Sequence, residues 1–289
     1  MRIAVLGSTD SWYLRDLQRA SAGRCEVVPA TFRRLRSTIG AVPTAVVSDE
    51  RQLDQCDTVL VRTMPAGSLE QVVFRMDALQ RLEAAGVRVI NPAKAIEAAV
   101  DKYLATARLA AAGLVVPTTI ACQTVDDAMA AFAELGGDVV VKPLFGAEGR
   151  GIARLGDEAL AWRAFKWLEE HRAVIYLQTF IDHEGYDLRL LVVGNRVLGM
   201  KRSHATDWRT NVSRGAVAER FEVTPALAAL AQRAAAAVGA PLAGIDVLPA
   251  RDGALYVLEV NAVPGWRALS QTLKVDVAEL VIQCLCRHD

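Results

Sequence analysis

Residues 242–261 read LAGIDVLPARDGALYVLEVN, in which two apolar runs flank the pair Asp252-Gly253. An Asp-Gly pair between apolar runs is a strong predictor of a β-hairpin with a two-residue turn. If these two residues form the turn, Arg251 pairs with Ala254, and the pairing farther along both strands follows. The segment therefore predicts a hairpin whose register can be counted outward from its turn.

This register places three oxygen-bearing side chains on one face of the hairpin. Asp246 lies directly opposite Glu259. Because side chains alternate along a strand, Asn261 shares the face of Glu259, whereas Leu258 and Val260 point the other way. Two opposed carboxylates repel each other unless a cation lies between them, and carboxylate and amide oxygens suit Mg²⁺ or Mn²⁺. The hairpin thus predicts a metal site; the alternative is a solvated polar face on which the acids happen to align.

The first ninety residues alternate strands with helices. Apolar runs predict strands at residues 1–7, 57–61 and 87–90. Apolar residues recur at helical spacing over residues 69–85, so the region is predicted to be a parallel α/β domain ending near Asn91-Pro92. Only Gly7 follows the first strand, and the absence of the glycine-rich dinucleotide fingerprint argues against a dinucleotide-dependent dehydrogenase.

The rest of the chain is predicted to mix helices and strands. An alanine-rich helix covers residues 95–112 and ends at Gly113. A later helix, residues 160–168, has three candidate buried positions, Leu160, Phe165 and Leu168. Strands are predicted at residues 139–142, 174–178, 188–193 and 196–200. Thr224-Pro225 begins a last helix in the preferred order of cap and proline.

A lysine and a glycine-rich loop follow one of these strands. Lys142 ends a run of three valines, and Gly146, Gly149 and Gly151 come shortly after it. Such loops expose backbone N–H groups to phosphates, and a lysine supplies the opposite charge. The combination predicts a phosphate site; the alternative is a surface lysine beside a turn that needs glycines for its backbone.

Several short motifs occur in a fixed order along the chain: Asp101-Lys102, Val140-Val141-Lys142, the glycine loop, Asp187-Leu188-Arg189 and Leu258-Glu259-Val260-Asn261. Three further segments accompany them, at residues 207–215 (DWRTNVSRG), 243–246 (AGID) and 261–265 (NAVPG). Together these motifs resemble the ATP-grasp superfamily and, within it, the RimK-like amino-acid ligases. The resemblance covers residues 90–289 closely and the first ninety residues in general architecture only.

The resemblance implies a mixed α/β and α+β fold of the ATP-grasp type. A Rossmann-like parallel α/β domain at residues 1–91 would precede two α+β modules, residues 92–177 and 178–289, which would sandwich ATP. The glycine loop of the central module would close over the nucleotide. The C-terminal module would carry the metal site.

The resemblance also assigns nucleotide contacts to individual residues. Lys102 and Lys142 would contact the phosphates of ATP beneath the loop Gly146 to Gly151. Thr179 and Phe180 would lie at the adenine-binding hinge, directly after Gln178, which would also contact the nucleotide. Asp187 would lie near the ribose. Related ligases commonly carry glutamate where this chain has Thr179, so a side-chain contact to the ribose or base is in doubt at that position.

The implied reaction has two steps, and three residues are implied as catalytic. A substrate carboxylate attacks the γ-phosphate of ATP to give an acyl phosphate and ADP, and an amine then displaces phosphate from the carbonyl. Arg209 and Asn211 would reach phosphate or acyl-phosphate oxygens, and Arg189 and Arg209 would stabilise the acyl phosphate and the tetrahedral intermediate. Either arginine could instead be a structural ion-pair partner. Two Mg²⁺ or Mn²⁺ ions would be held by Asp246, Glu259 and Asn261.

The expected substrates are glutamate, or a similar amino acid, and an acceptor that bears a carboxylate. Residues 262–266 (AVPGW) look closer to ligases that add glutamate to tetrahydromethanopterin, so a small cofactor is the expected acceptor. One alternative is a ligase that acts on the C-terminus of a protein or carrier protein. Another is an ATP-binding regulator that kept the fold and lost the chemistry.

The composition limits which binding partners are expected. Lys plus Arg and Asp plus Glu both total 33, which gives no electrostatic reason to expect nucleic acid or a membrane surface. No signal peptide, membrane span or Cys-x-x-Cys pair is apparent, so a cytoplasmic protein without zinc or disulfides is expected. The sequence leaves open whether the protein forms a homo-oligomer.

Local clusters of cations are therefore expected to bind a charged substrate. Arg62 follows the strand at residues 57–61, at the strand end where open parallel sheets bind their ligands. The resemblance places further arginines near the phosphates, namely Arg202, Arg209, Arg214 and Arg267. This distribution predicts a substrate with more than one carboxylate. Pairing of Arg62 with an acid at a domain interface is the alternative.

Overall fold

The structure of the protein, a computed structural model, describes residues 1–40, 45–146, 150–210 and 215–286. The N-terminal elements are β1 (Arg2–Leu6), α1 (Trp12–Ala20), β2 (Glu26–Ala30), β3 (Leu35–Thr38), β4 (Ala45–Ser48), β5 (Arg51–Gln52), β6 (Thr58–Val61), α2 (Leu69–Ala84) and β7 (Arg88–Ile90). A parallel sheet has the strand order β2-β1-β6-β7, which confirms the predicted α/β domain. The small antiparallel sheet β3-β4-β5 and the strand β2, which contains Pro29, were not predicted.

The central elements are α3 (Ala93–Val100), α4 (Lys102–Ala111), β8 (Thr119–Cys122), α5 (Val125–Glu134), β9 (Val139–Lys142), β10 (Ala153–Leu155), α6 (Glu158–Glu170) and β11 (Ile175–Thr179). Their four strands form an antiparallel sheet in the order β10-β9-β11-β8. The apolar faces of α5 and α6 cover this sheet, and Phe132 and Phe165 are buried between them. The module therefore has a core of its own.

The C-terminal elements are β12 (Tyr186–Val193), β13 (Arg196–Ser203), β14 (Val217–Arg220), α7 (Pro225–Val238), β15 (Leu242–Pro249), β16 (Leu255–Asn261), α8 (Arg267–Leu273) and α9 (Val277–Leu285). A five-stranded antiparallel sheet has the order β14-β13-β12-β15-β16. One face of this sheet packs on α7, in a core shared with α3 and α4. One end of the other face packs on β1, α1, α8 and α9, which joins the sheet to the N-terminal domain. None of the described helices combines the length and apolarity that crossing a bilayer requires.

Two helix predictions need correction. The predicted alanine-rich helix at residues 95–112 is two helices, because Asp101 is extended and caps α4 by accepting a hydrogen bond from the Leu104 backbone N–H at 3.0 Å. Leu160, a predicted core residue of α6, is exposed. Ala161 and Phe165, four residues apart, form the buried stripe of that helix instead, so its apolar face is rotated away from Leu160.

The packing adds detail to the predicted division of the chain at residues 91 and 177, which stays a prediction. α3 and α4 pack with α7 and β16 of the C-terminal sheet rather than with the central sheet. The boundary after residue 177 falls inside β11. Asn91 ties the N-terminal domain to β15, since its amide exchanges hydrogen bonds with the Leu242 backbone at 2.7 and 3.0 Å. The N-terminal domain and helices α3 and α4 thus share cores with the C-terminal sheet, whereas the central sheet has a core of its own.

Candidate active site

The β15–β16 hairpin does bring Asp246 opposite Glu259. The predicted two-residue turn is wrong, however, because the Ala250 N–H donates to the Ala254 carbonyl at 2.9 Å and residues 251–253 form a three-residue loop. Gly253 occupies its last position with φ +87°, a conformation that glycine adopts without strain. Near the turn, the pairing is therefore shifted by one residue from the predicted register.

A β-bulge in β16 cancels this shift. Val247 pairs with Val257 and Asp246 with Glu259, so Leu258 is the extra residue. Leu258 was predicted to point away from Glu259, and this is also wrong: both residues line the same cavity. Val257 and Val260 face the core on the other side. The bulge thus lets two consecutive residues contribute to one site.

The cavity lies between the central sheet and the C-terminal sheet and has a volume of about 100 Å³. Its walls include residues from both modules. Eight residues predicted from the sequence meet there: Lys142, Gln178, Thr179, Phe180, Asp187, Arg209, Asp246 and Glu259. Gly149 and Asn211, which were also predicted, lie outside the described residues, as does Arg214.

Asp246 is the centre of a buried ion-pair network. Its Oδ1 accepts hydrogen bonds from Arg189 Nη1 at 2.6 Å and lies 3.0 Å from Arg202 Nη2. Arg202 also binds both carboxylate oxygens of Asp187, at 2.7 and 2.6 Å. Burial acts to raise the pKa of Asp246, but the charges of Arg189 and Arg202 outweigh burial and lower it. The pKa of Asp187 is raised, chiefly by burial.

Glycine at position 244 makes room for one of these arginines. A Cβ atom on Gly244 would lie 2.9 Å from Cζ and Nη2 of Arg189. Gly244 pairs with Asn261 across the hairpin, so the Arg189 guanidinium lies over the strand pair that carries the predicted metal ligands. Arg189 therefore adjoins the predicted metal site in addition to being the ion-pair partner of Asp246.

The residues around Glu259 fit a divalent cation. Burial and the neighbouring Asp246 charge raise the pKa of Glu259. Within the described ranges, the side chains of Glu259 and Asn261 make no hydrogen bond, and none reaches the Oδ2 atom of Asp246. Nor does any group of three or more His, Cys, Asp or Glu side chains occur there that would form an all-protein cage. Two carboxylates and an amide suit Mg²⁺, which keeps waters and binds phosphate oxygens as well.

Lys142 is held by a chain of hydrogen bonds that reaches α4. Its Nζ donates to Gln178 Oε1 at 2.6 Å, and Gln178 Nε2 donates to Thr119 Oγ1 and the Tyr176 hydroxyl at 2.9 and 3.0 Å. The Tyr176 hydroxyl in turn lies 2.8 Å from Thr106 Oγ1. Burial lowers the pKa of Lys142 to about 8, against the favourable charge of Glu259. The sequence placed Gln178 at the adenine hinge and gave no indication of this chain.

Lys102 approaches the glycine loop from the other side. It is the first residue of α4, and its Nζ donates to the Gly146 carbonyl at 2.8 Å, while its backbone N–H donates to the Leu144 carbonyl at 3.3 Å. The break at Asp101 therefore sets the position of this lysine. Both predicted lysines flank the start of the predicted phosphate loop.

The other end of the cavity is aromatic and apolar. The Thr179 and Phe180 backbone N–H groups donate to the carbonyls of Thr118 and Asp138, each at 3.0 Å. The Phe180 ring lies 3.4 Å from Cζ of Arg154 and meets Trp208 edge to face. No sequence pattern assigned a role to Arg154 or Trp208, although Trp208 lies inside the DWRTN motif. Flat apolar surfaces of this kind suit a nucleobase.

Arg209 connects the two walls of the site. Its guanidinium binds Asp207 through Nε and Nη2, and its Nη1 lies 3.4 Å from the Ile152 carbonyl, just after the glycine loop. Both arginines that were expected at the acyl phosphate therefore have carboxylate partners, Arg189 in Asp246 and Arg209 in Asp207.

A comparison with protein families shows which family the chain belongs to. The model of the RimK-like ATP-grasp domain matches residues 99–285. The chain belongs to the RimK-like ATP-grasp family. This RimK-like protein is accordingly an ATP-dependent carbon–nitrogen ligase with the ATP-grasp fold, as the motifs predicted.

Curated relatives of this RimK-like ligase act on two kinds of acceptor. The tetrahydromethanopterin:alpha-L-glutamate ligase of Methanosarcina acetivorans is 35% identical over 271 residues, which cover 84% of this chain and 83% of the relative. The ribosomal protein bS6–L-glutamate ligase of Salmonella paratyphi B is 32% identical over 297 residues, which cover 100% and 96%. Among solved structures, the ATP-grasp ligase PsnB complexed with minimal precursor, Mg and ADP superposes with a TM-score of 0.78 at 23% identity, covering 98% and 96% of the two chains. That likeness supports the fold.

Proposed function

We propose that the protein adds glutamate, or a closely similar amino acid, to a carboxylate of a small-molecule acceptor. The observation that carries the proposal is the buried carboxylate pair Asp246 and Glu259, which lies in one cleft with Lys142 and is flanked by Arg189. Positive side chains around a pair of hard oxygen ligands suit the transfer of a phosphoryl group to a carboxylate. The relative with the higher identity acts on tetrahydromethanopterin.

The proposal assigns the nucleotide and the metal ions to different residues of the site. Lys142 and Lys102 hold the phosphates of ATP beside Gly146, whose carbonyl accepts a hydrogen bond from Lys102. Leu258 and Phe180 contact the adenine, and Asp187 lies towards the ribose. Asp246, Glu259 and Asn261 hold two Mg²⁺ ions, which when bound neutralise charge on the transferring phosphoryl group.

Arginines then act on the acyl group. Arg189 lies over Gly244 and beside Asn261, so it is placed to bind an oxygen of the acyl phosphate while remaining bonded to Asp246. Arg209, which lines the same cleft, binds a phosphate or acyl-phosphate oxygen, and the same role is proposed for Asn211, which lies outside the described residues. The substrates themselves supply both nucleophiles, the carboxylate in the first step and the amine in the second. Most of the rate enhancement therefore comes from positioning and electrostatic stabilisation by the protein.

A protein C-terminus is the second candidate for the acceptor. The relative from Salmonella that is named for ribosomal protein bS6 covers almost the whole of both chains at 32% identity. Both acceptors present a carboxylate to the same cleft, so the two candidates share the chemistry and differ in what surrounds that carboxylate.

An ADP-release screen tests the proposal. The purified enzyme is incubated with ATP, Mg²⁺ and each amino acid in turn, with small acceptors that carry carboxylates in one arm and peptides with free C-termini in the other. ADP that forms only when glutamate and a small acceptor are both present supports the proposal; ADP that forms with peptides alone contradicts it. Glu259→Gln, which keeps the shape of the side chain and removes its charge, is expected to abolish release in every arm.

A further inference from the structure

Arg62 lies at the crevice of the parallel sheet. It directly follows β6, and its backbone N–H donates to the Leu6 carbonyl at the end of β1, at 2.8 Å. The chain runs from β1 outward to β2 on one side and from β6 outward to β7 on the other, so the strand order reverses between β1 and β6. Ligands of open parallel sheets bind outside the carboxyl ends of the strands at such a point.

The Arg62 guanidinium is buried without a hydrogen-bond acceptor. The residue is 6% exposed, and among the described residues neither Nε nor Nη1 has a partner. The pairing with an interface acid that the sequence left open is therefore not found in the part of the chain that the structure describes. Burial lowers the pKa of Arg62 to about 10, so the side chain is cationic at neutral pH. A buried cation with unsatisfied N–H groups is costly, on the order of several kcal/mol, unless an anion binds it.

Two aromatic rings form a corner around this cation. The Arg62 Cζ lies 4.6 Å from the ring centroid of Tyr13 and 4.3 Å from that of Trp266, and the two rings meet edge to face. Trp266 is fixed by a hydrogen bond from Nε1 to Asp16 on α1, at 3.1 Å. Cation–π contacts offset part of the cost of burial but accept none of the N–H groups. The Arg62 corner, meaning Arg62 with Tyr13 and Trp266, thus lacks only an acceptor of hydrogen bonds.

The Arg62 corner is joined to the predicted metal site by a short loop. Trp266 lies five residues after Asn261, and the loop between them packs so closely on Tyr13 that a Cβ on Gly265 would lie 2.7 Å from the Tyr13 hydroxyl. Along β15, Leu248 lines the base end of the cleft, Asp246 the metal site, and Leu242 packs in the same core as Trp266. The corner therefore lies beyond the metal site, on the side opposite the adenine pocket.

We propose that the Arg62 corner binds a carboxylate of the acceptor that is not the one being activated. This inference rests on the proposed function, since it gives the acceptor a second acidic group. One planar guanidinium offers the paired N–H groups that a carboxylate accepts, and Tyr13 and Trp266 offer apolar surface to the short carbon chain of the acid. Tyr13 is only half-buried, so the corner borders solvent. Phosphate, which favours more donors than one guanidinium, is the competing anion.

Glutarate is the probe, because it has two carboxylates and no amine. It is titrated calorimetrically into the enzyme saturated with ADP and Mg²⁺, and inorganic phosphate is titrated in a parallel arm. Arg62→Met keeps most of the volume of the side chain and is expected to weaken glutarate binding by about tenfold or more, the loss of charge-assisted hydrogen bonds. Arg62→Lys is expected to bind glutarate with an affinity between those of the wild type and Arg62→Met. Arg15→Met, the same change at an exposed arginine of α1, is expected to bind glutarate as the wild type does.

The measured affinity for ADP distinguishes a failure of the proposed carboxylate site from a failure of the proposed ligase function. Unchanged ADP binding in all variants shows that each is folded and that the nucleotide site is intact. If the wild type binds ADP but not glutarate, or if Arg62→Met and Arg62→Lys both bind glutarate normally, the carboxylate site is refuted and the ligase assignment stands. Phosphate that binds in preference to glutarate also overturns the carboxylate assignment. Failure of the wild type to bind ADP would instead contradict the proposed function.

Discussion

Gln178 decides where the ammonium of Lys142 lies, and replacing it tests whether the hydrogen-bond chain serves phosphate binding. Two hydroxyl groups accept from Nε2 of Gln178, so its Oε1 faces Lys142. The reverse orientation would place the amide NH₂ group against the ammonium, donor against donor. Gln178→Met keeps the length of the side chain and removes both of its polar atoms. The Lys142 ammonium then loses the partner that fixes its position.

The size of the effect follows from the bonds that are lost. A hydrogen bond to a charged group contributes roughly 1.5–3 kcal/mol, which corresponds to a loss of about 10- to 150-fold in affinity for ATP if Lys142 leaves its position. Tyr176→Phe is the matched control. It removes bonds to Thr106 and Gln178 but leaves the Lys142–Gln178 bond intact, so it should cost about 1–3 kcal/mol of stability and change ATP affinity little.

Calorimetric titration of ADP and of a non-hydrolysable ATP analogue measures the affinities, and denaturant unfolding measures the stabilities. The double variant with Lys142→Met completes a mutant cycle. Gln178→Met should cause no further loss of affinity once Lys142 is gone. A Gln178→Met enzyme that binds nucleotide like the wild type would refute the reasoning, as would an equal loss of affinity in the presence and absence of Lys142.

Three further predictions concern the same cleft. Gly244→Ala forces the Arg189 guanidinium to move and should reduce turnover at least tenfold, with no additional loss in an Arg189→Met background when kcat is measured. Asp101→Ala removes the cap of α4 and should cost about 1 kcal/mol of stability and also weaken ATP binding. Thr224→Ala uncaps α7, a helix that contributes no residue to the lining of the cleft, and should cost similar stability with normal ATP binding. Burial lowers the pKa of Lys142 from 10.5 to about 8, so between these pH values the unfolded chain keeps a proton that the folded chain has lost. The stability of the wild type relative to Lys142→Met should therefore rise with pH across this window, by up to about 3 kcal/mol. Denaturant unfolding without nucleotide measures this difference.

Local patterns in the sequence predict much of the fold. The valines before Lys142 form β9 over the predicted residues, and Thr224-Pro225 begins α7, which ends at Gly239 in the left-handed conformation. These elements depend on residues within one turn or one strand, so the sequence contains what determines them. The motif order, together with the family resemblance, predicts the ATP-grasp fold class, whereas β2 and the small sheet β3-β4-β5 were not predicted.

Tertiary contacts explain what the sequence could not predict. Alanine continues past Asp101 at helical spacing, so only the capping bond reveals that α3 and α4 are separate. The side chain of Gln178 lies on the same strand as the hinge, and its partner Lys142 is 36 residues away. Arg62 lies in a corner formed by residues from both ends of the chain. Contacts of this kind are set by packing and not by periodicity.

The β-bulge at Leu258 shows why the pairing of Asp246 with Glu259 was predicted correctly from a wrong turn. A three-residue loop displaces the register by one residue, and the extra residue Leu258 displaces it back before Asp246 and Glu259. Deletion of Leu258 would leave Val257 opposite Val247 and Glu259 opposite Asp246 in regular alternation, so the metal pair should survive. The deletion removes only an apolar wall of the cleft.

The deletion should therefore behave like Leu258→Ala, which keeps the bulge and loses the side chain. Both should weaken ATP binding by about 1–2 kcal/mol, roughly 5- to 30-fold, through lost apolar contact with the base. Both should retain the Mg²⁺ dependence of ADP formation, measured by titrating Mg²⁺ at saturating ATP. If the deletion abolishes activity while Leu258→Ala retains it, the bulge is needed to aim Glu259 itself. The idea that it serves only to add Leu258 to the adenine pocket would then be wrong.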